Sequence, residues 1–187
     1  MNRVCAVLAA LLCAAAAAPS ARAQKVQAGG DVAMLACLGT INLHADYALA
    51  QHWTVGAEGR YNPFTFNGRE DNQFQMRQRS IAAVGRWWPW HVYSGWWVAA
   101  KARVQEYNMG GIISQETEEG MRYGGGLSAG YAHMISDHFN LEMGLGFWAG
   151  MKEYTVYACP TCGQKLSEGV KSFILPGDLM ISLSYVF

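Results

Sequence analysis

From Phe139 to Lys152 the chain alternates between two kinds of side chain. Phe139, Leu141, Met143, Leu145, Phe147, Ala149 and Met151 fall on one set, and Asn140, Glu142, Gly144, Gly146, Gly150 and Lys152 share the other with Trp148. A helix would scatter both sets around its circumference, whereas a strand sends them to opposite faces. The spacing therefore predicts a long strand with one apolar face.

The same pattern recurs along the chain. Ile41, Leu43, Ala45, Tyr47 and Leu49 oppose Asn42, His44, Asp46 and Ala48, and Val55, Ala57, Gly59 and Tyr61 oppose Thr54, Gly56, Glu58 and Arg60. Ile81 to Trp87, Val98 to Gln105, Gly126 to Tyr131 and Leu179 to Phe187 repeat it, the last with Asp178, Ser182 and Ser184 on the polar side. A weaker first strand is expected around Val32 to Leu38, which brings the count to eight. An even number lets an antiparallel meander close into a barrel. Crossing a hydrocarbon core on a tilt takes roughly 9–11 residues per strand, a length most of these segments reach.

A soluble sandwich would alternate as well, so other features must decide what the apolar face meets. Connections at Ala50-Gln51, Pro89 to Ser94 and Ile135 to His138 are short, while Pro63 to Phe74, Gly110 to Gly120 and Val156 to Lys171 are long and polar. Short periplasmic turns and long external loops are the outer-membrane arrangement. Aromatic residues gather at both strand ends. Trp53, Trp87, Trp88, Trp90, Tyr93, Trp96, Trp97, Phe139, Tyr185 and Phe187 lie at the turn end; Tyr61, Phe64, Tyr107, Tyr123, Tyr154 and Phe173 lie at the loop end. Two aromatic belts are expected of a membrane-spanning sheet. The closing strand, with Ile181, Leu183, Tyr185 and Phe187 at alternate positions, resembles the carboxy-terminal signal read by barrel-assembly machinery. The expected fold is all-β: an eight-stranded antiparallel transmembrane β-barrel in a bacterial outer membrane, with outer-membrane lipid around it.

Composition and charge refine this picture. Residues 1–23 read as a cleaved signal peptide: Arg3 is the positive start, Val4 to Ala18 the apolar run and Ala21-Arg22-Ala23 the cleavage site, leaving 24–187 as the barrel domain. Beyond that segment no apolar stretch reaches about 18 residues, so no transmembrane helix is expected. With 51% hydrophobic and only 15% charged residues, the chain must place its apolar side chains by alternation. It lacks a basic stripe, which argues against a nucleic-acid partner.

The polar face carries the candidate chemistry. Asp46, Glu58, Arg60, Arg86, Lys101, Arg103, Glu142 and Asp178 are expected to point inward as a lumen ion-pair network. Eight strands leave a bore that side chains just fill, and isolated buried charges are expensive, so these groups must neutralise one another. A narrow conduit is the alternative reading. A third is a lipid-modifying enzyme centred on His44, the one histidine within a strand, but Ser80 and Ser128 have no evident link to it, and no catalytic residue is assigned. Three cysteines follow the signal: Cys37, Cys159 and Cys162. Cys159-Pro160-Thr161-Cys162 lacks the second pair that structural zinc needs, so a Cys159–Cys162 disulfide is the plainer reading for an exported loop, with zinc or a free pair as alternatives. Cys37 falls at the same end and is within reach of either. No metal or cofactor is expected.

Several segments together resemble an uncharacterised family of small bacterial outer-membrane barrels known as a domain of unknown function. Its members carry stretches like Asn-Leu-Gly-Leu-Glu-Tyr-Ala-Leu and His-Trp-Ser-Val-Gly, matched here by Asn42 to Leu49 and by His52-Trp53-Thr54-Val55-Gly56. Further likeness lies at Tyr123 to Tyr131, Asn140-Leu141-Glu142, the Cys159/Cys162 loop and Ile181-Ser182-Leu183, while His44 stands where the family has glycine. The resemblance implies an outer-membrane barrel with a link to surface fimbriae, and it brings no catalytic residues. The function expected is therefore non-enzymatic: anchoring, or binding of an extracellular or fimbrial protein through loops Phe64 to Gln73, Ile112 to Glu119 and Ala158 to Glu168.

Overall fold

Strict alternation is satisfied only when each strand finds neighbours on both sides, and here nearly every strand pairs with the next one along the chain. The computed structural model describes residues 25–36, 39–66, 74–111, 115–160, 163–176 and 179–187. The elements are β1 (Val26–Asp31), α1 (Val32–Ala36), β2 (Ile41–Ala50), β3 (Trp53–Asn62), β4 (Thr65–Phe66), β5 (Phe74–Trp87), β6 (Gly95–Gly110), β7 (Thr117–Met134), β8 (Phe139–Tyr157), β9 (Lys165–Pro176) and β10 (Met180–Val186). All strand pairings are antiparallel. The order β1-β2-β3-β5-β6-β7-β8-β10 returns to β1, giving a ring of eight strands. β9 continues the wall along the loop-end half of β8, from Phe147–Pro176 to Tyr157–Lys165, while β10 pairs with the other half.

The ring is uneven in height. β7 and β8 run in register from Met134–Asn140 to Thr117–Tyr157, whereas β1 meets β10 only from Gln27–Val186 to Asp31–Ser182. At one end the turns are short. Between β7 and β8, the Ile135 and Ser136 amides donate to Phe139 O at 2.8 and 3.2 Å. Between β5 and β6, Tyr93 (φ 65°) and Gly95 (φ 79°) take the left-handed conformation that lets the chain reverse.

Three expected boundaries differ from the observed ones. The first strand lies at Val26–Asp31, not at Val32 to Leu38, where Val32–Ala36 is helical; Cys37 and Leu38 lie outside the described residues. Asp31 explains the switch: its Oδ1 accepts the Ala33 and Met34 amides at 2.9 and 3.3 Å, an N-cap that starts a helix in the run Val-Ala-Met-Leu-Ala. The loop expected from Val156 to Lys171 is mostly strand, because β8 extends to Tyr157 and β9 begins at Lys165. Leu166, Val170 and Ile174 recur every fourth residue with Glu168 and Ser172 between them, so the period-two signal is diluted. Likewise, Thr117 to Glu119 belong to β7 rather than to the preceding loop.

Side chains sort as the two faces demand, with the usual polarity reversed. The outward positions hold Leu43, Ile81, Leu127, Leu145 (68% exposed), Ile174 (71%) and Leu183, whereas the inside holds Asp46, Arg86, Lys101, Arg103 and Glu142 (0%). Moving toward the loops, the outer face changes character at one register row, Tyr61–Arg79–Glu106–Met121–Glu153–Val170. Below that row the outward residues are apolar or glycine, Ser172 of β9 apart, down to Trp53, Trp87 and Val98.

Not every aromatic residue is on the outside. Trp53, Trp87, Trp90, Trp96 and Phe139 are exposed, but Trp88, Tyr93 and Trp97 are buried within the ring near its short-turn end, and Tyr107 is buried near the loop end. Position near a strand end does not decide which face a side chain takes. Trp97 and Tyr107 are on the same parity as Lys101 and Arg103, so they point inward.

Candidate functional site

Among the described residues the only extensive clustering of chemically active side chains is the interior of the ring, arranged in three tiers. In the tier nearest the short turns, β5 supplies Arg86, β2 Asp46 and β8 Glu142. Arg86 Nη1 lies 2.9 Å from Glu142 Oε2, and Nη2 lies 3.6 Å from Asp46 Oδ2. The guanidinium also stands over the Trp97 ring, 5.0 Å from its centroid. Glu142 Oε1 accepts from Gln27 Nε2 and, at 3.4 Å, from Ser184 Oγ. Gln27 also reaches Ser184 Oγ at 2.5 Å. Below this group Trp88, Tyr93 and Trp97 form a buried aromatic layer. Trp88 Nε1 donates to Thr54 Oγ1 at 3.2 Å, and Tyr93 Oη donates to Lys25 O at 2.9 Å. Asn140 Nδ2 donates to Tyr93 O at 2.7 Å.

The middle tier centres on Glu58 of β3. Arg60 bonds it from the same strand, while Lys101 Nζ and Arg103 Nη2 reach it from β6 at 3.0 and 3.3 Å. Arg103 stacks over Trp148, 5.3 Å from the ring centroid, and Trp148 meets Phe173 of β9 edge to face at 4.6 Å. The third tier lies toward the loops. Glu118 accepts from Lys152 Nζ at 2.7 and 2.8 Å and from Tyr107 Oη at 2.6 Å, with Arg122 Nη2 3.6 Å away. Arg122 covers the Tyr107 ring at 3.6 Å. Asn62 and Gln78 both donate to Thr40 Oγ1, at 3.0 and 3.5 Å.

The ring thus brings Asp46, Glu58, Arg60, Arg86, Lys101, Arg103 and Glu142 inside, divided between two tiers, whereas Asp178 lies outside the described residues. Lys152 lies on the polar face expected of its strand, whereas Gln27, Trp97, Tyr107, Glu118 and Arg122 were not among the expected inward residues. The signal was present: Glu118, Gly120, Arg122 and Gly124 share one parity, but the strand was drawn too short to include them. Chemically the arrangement is a set of opposed charges that fill space, since each carboxylate named here is met by at least one cation or amide donor.

His44 is buried on β2 with Nε2 lacking a partner, and Ser128 Oγ is likewise buried without one, so no hydrogen bond joins them. The other histidines lie by the short turns: His52 Nδ1 is 2.9 Å from Trp88 O and His138 Nδ1 is 3.0 Å from Val186 O. Cys159 is disulfide-bonded, and Cys37 and Cys162 lie outside the described residues. Among the described residues no group of three or more His, Cys, Asp or Glu side chains is placed to hold a metal, and no helix is long and apolar enough to cross a membrane.

One protein-family model matches residues 8–187; its description is "Protein of unknown function (DUF3575)". No curated protein and no solved structure matches the chain.

Proposed function

We propose, from the premise that this chain belongs to the DUF3575 family of unknown function, that it is a non-enzymatic transmembrane β-barrel of the bacterial outer membrane. It would be exported by its amino-terminal signal and inserted by barrel-assembly machinery through β10 and Phe187. Its role is to anchor and display the loop end of the ring to an extracellular or fimbrial partner. The observation that carries this reading is the reversed polarity of the wall. Leu145 and Ile174 face outward on the same sheet whose inside holds Arg86 and Glu142. In water such an outer face exposes far more apolar surface than a soluble monomer tolerates, while in lipid it is the stable arrangement. The charged row at Arg79, Glu106 and Glu153 marks the upper limit of the apolar band.

Cell fractionation with a heat-modifiable gel shift tests location and closure together: the chain is expected in the outer membrane and to migrate faster unheated. A soluble, heat-insensitive chain would overturn the reading. Deleting residues 67–73, 111–116 or 158–164 separately and measuring adhesion tests the display role, which fails if all three deletions leave binding partners unchanged. A second reading, a narrow conduit, is favoured by the three polar tiers stacked above the aromatic layer of Trp88, Tyr93 and Trp97. Conductance in planar bilayers decides it, with Arg103→Ala and Glu142→Ala expected to alter any current that flows through the lumen.

A further inference from the structure

On the outer face, β5 and β6 carry the register pairs Arg79–Glu106, Ile81–Val104, Ala83–Ala102, Gly85–Ala100 and Trp87–Val98. Side-chain bulk is smallest in the middle of this series, and there the wall is recessed. The recess holds about 570 Å³; Gly85, Ala100 and Ala129 form its floor, and Trp87, Leu145 and Phe147 rise beside it. It is an apolar depression in an otherwise convex, leucine-studded surface.

At the loop end of the same strand, Arg77 and Arg79 share the outward parity. Arg77 Nε donates to Thr65 Oγ1 at 2.9 Å, and Arg79 Nη2 lies 2.5 Å from Glu106 Oε2 with its side chain 71% exposed. An exposed pair of this kind contributes little and yields to a stronger ligand. The remaining carboxylates of this band, Glu119, Glu153 and Glu168, stand on β7, β8 and β9, two to four strands away from β5, or roughly 10 Å and more at the usual strand spacing. The β5 corner is therefore the cationic part of an otherwise acidic band.

From Arg79 to Gly85 is roughly 20 Å along a strand, which the usual tilt of about 40° in a membrane barrel turns into roughly 15 Å of depth, about half of a hydrocarbon core. A headgroup at the arginines thus places an extended acyl chain over the recess. We propose that this outer slot binds a single phosphorylated lipid, its phosphate held by Arg77 and Arg79 and one acyl chain laid across Gly85 and Ala100. The proposal rests on the membrane reading above and adds to it a defined lipid partner. Charge complementarity selects the headgroup, and the recess selects a chain rather than a free ion.

Native mass spectrometry of the full chain in detergent micelles tests it, with dimyristoyl phosphatidic acid and dimyristoyl phosphatidylcholine supplied in equal amounts. Phosphatidic acid is expected to be retained about tenfold better, the scale of one charge-assisted hydrogen bond. Arg77→Gln/Arg79→Gln should abolish that preference, and Glu106→Gln should increase it. A Cβ at Gly85 meets nothing within 4 Å, so Gly85→Leu fills the recess from outside without disturbing the wall and should weaken retention of both lipids. Equal retention of the two lipids by the native chain, or a preference untouched by the arginine changes, overturns the proposal while leaving the barrel standing. Full displacement by inorganic phosphate at the same concentration also overturns it, because the acyl chain would then be irrelevant. A chain that needs no detergent to stay soluble overturns the membrane reading and the lipid site together.

Discussion

Arg86→Met tests whether the interior is held by paired charge. The Arg86, Asp46 and Glu142 side chains are 3%, 2% and 0% exposed, so no water reaches them to replace a lost partner. Removing one member of such a group typically costs about 3–5 kcal/mol, chiefly because the charge left behind stays buried. Here two carboxylates are left, which pushes toward the upper limit, and the Arg86–Trp97 contact adds roughly 1 kcal/mol. The Gln27 and Ser184 bonds to Glu142 survive and soften the loss. A net destabilisation of about 4 kcal/mol follows, a large share of the 5–15 kcal/mol typical of a folded domain. With a urea slope of about 1–3 kcal/mol/M, the midpoint of reversible unfolding from lipid vesicles, read by tryptophan fluorescence, should fall by roughly 2 M. The triple variant Asp46→Leu/Arg86→Met/Glu142→Met should recover most of this, since it leaves no orphaned charge. A single variant whose midpoint stays within about 0.3 M of the native value at unchanged slope would refute the reasoning.

Three further changes probe other parts of the wall. Leu145→Lys, on the outer face, should cost about 2–4 kcal/mol in lipid vesicles if that position faces the bilayer middle, measured by the same unfolding assay; near-neutrality would mean that water bathes the site. Asp31→Ala removes the α1 cap and the Asp31 Oδ1–Ile181 N contact at 3.2 Å, and should lower stability by about 1 kcal/mol, with the loss of amide protection confined to β1, α1 and the facing part of β10. Gly144→Val collides with the Trp97 indole, whose Cη2 and Cζ2 lie 2.9 Å from a Cβ built at that position; overpacking of about 1–3 kcal/mol is expected, with a change in the Trp97 near-ultraviolet dichroism that Gly85→Leu does not produce.

How much of this was legible beforehand follows from where the alternation is clean. β8 and β2 were readable because the apolar face of each runs without a polar interruption over Phe139 to Met151 and Ile41 to Leu49, and the inward charges followed from parity alone. The Val32–Ala36 helix was not readable in that way, since five apolar or small residues fit a short strand as well as a helical turn, and only the Asp31 cap distinguishes them. β9 escaped because its inward residues include Gly169 and Lys171 and its outward ones include Glu168 and Ser172, so neither face is uniformly apolar. The three-tier grouping was beyond reach from the sequence. Glu58 and Lys101 sit on strands separated by β5, and whether their ends meet depends on side-chain length and tilt, which no one-dimensional pattern encodes.

The seam between β1 and β10 joins the two extremities of the described chain, Gln27 to Val186 and Asp31 to Ser182, whereas the other junctions in the ring join successive strands or, at β3–β5 and β8–β10, strands with one element between them. Hairpins such as β7–β8 form at little loop-closure cost, but the seam must wait until β10 has been made. Until then the sheet is an open ribbon with two unsatisfied margins, the state most exposed to wrong pairing. Assembly of the ring is therefore gated by β10, and a nascent chain stalled before it can gather its hairpins but has nothing with which to lock the circle.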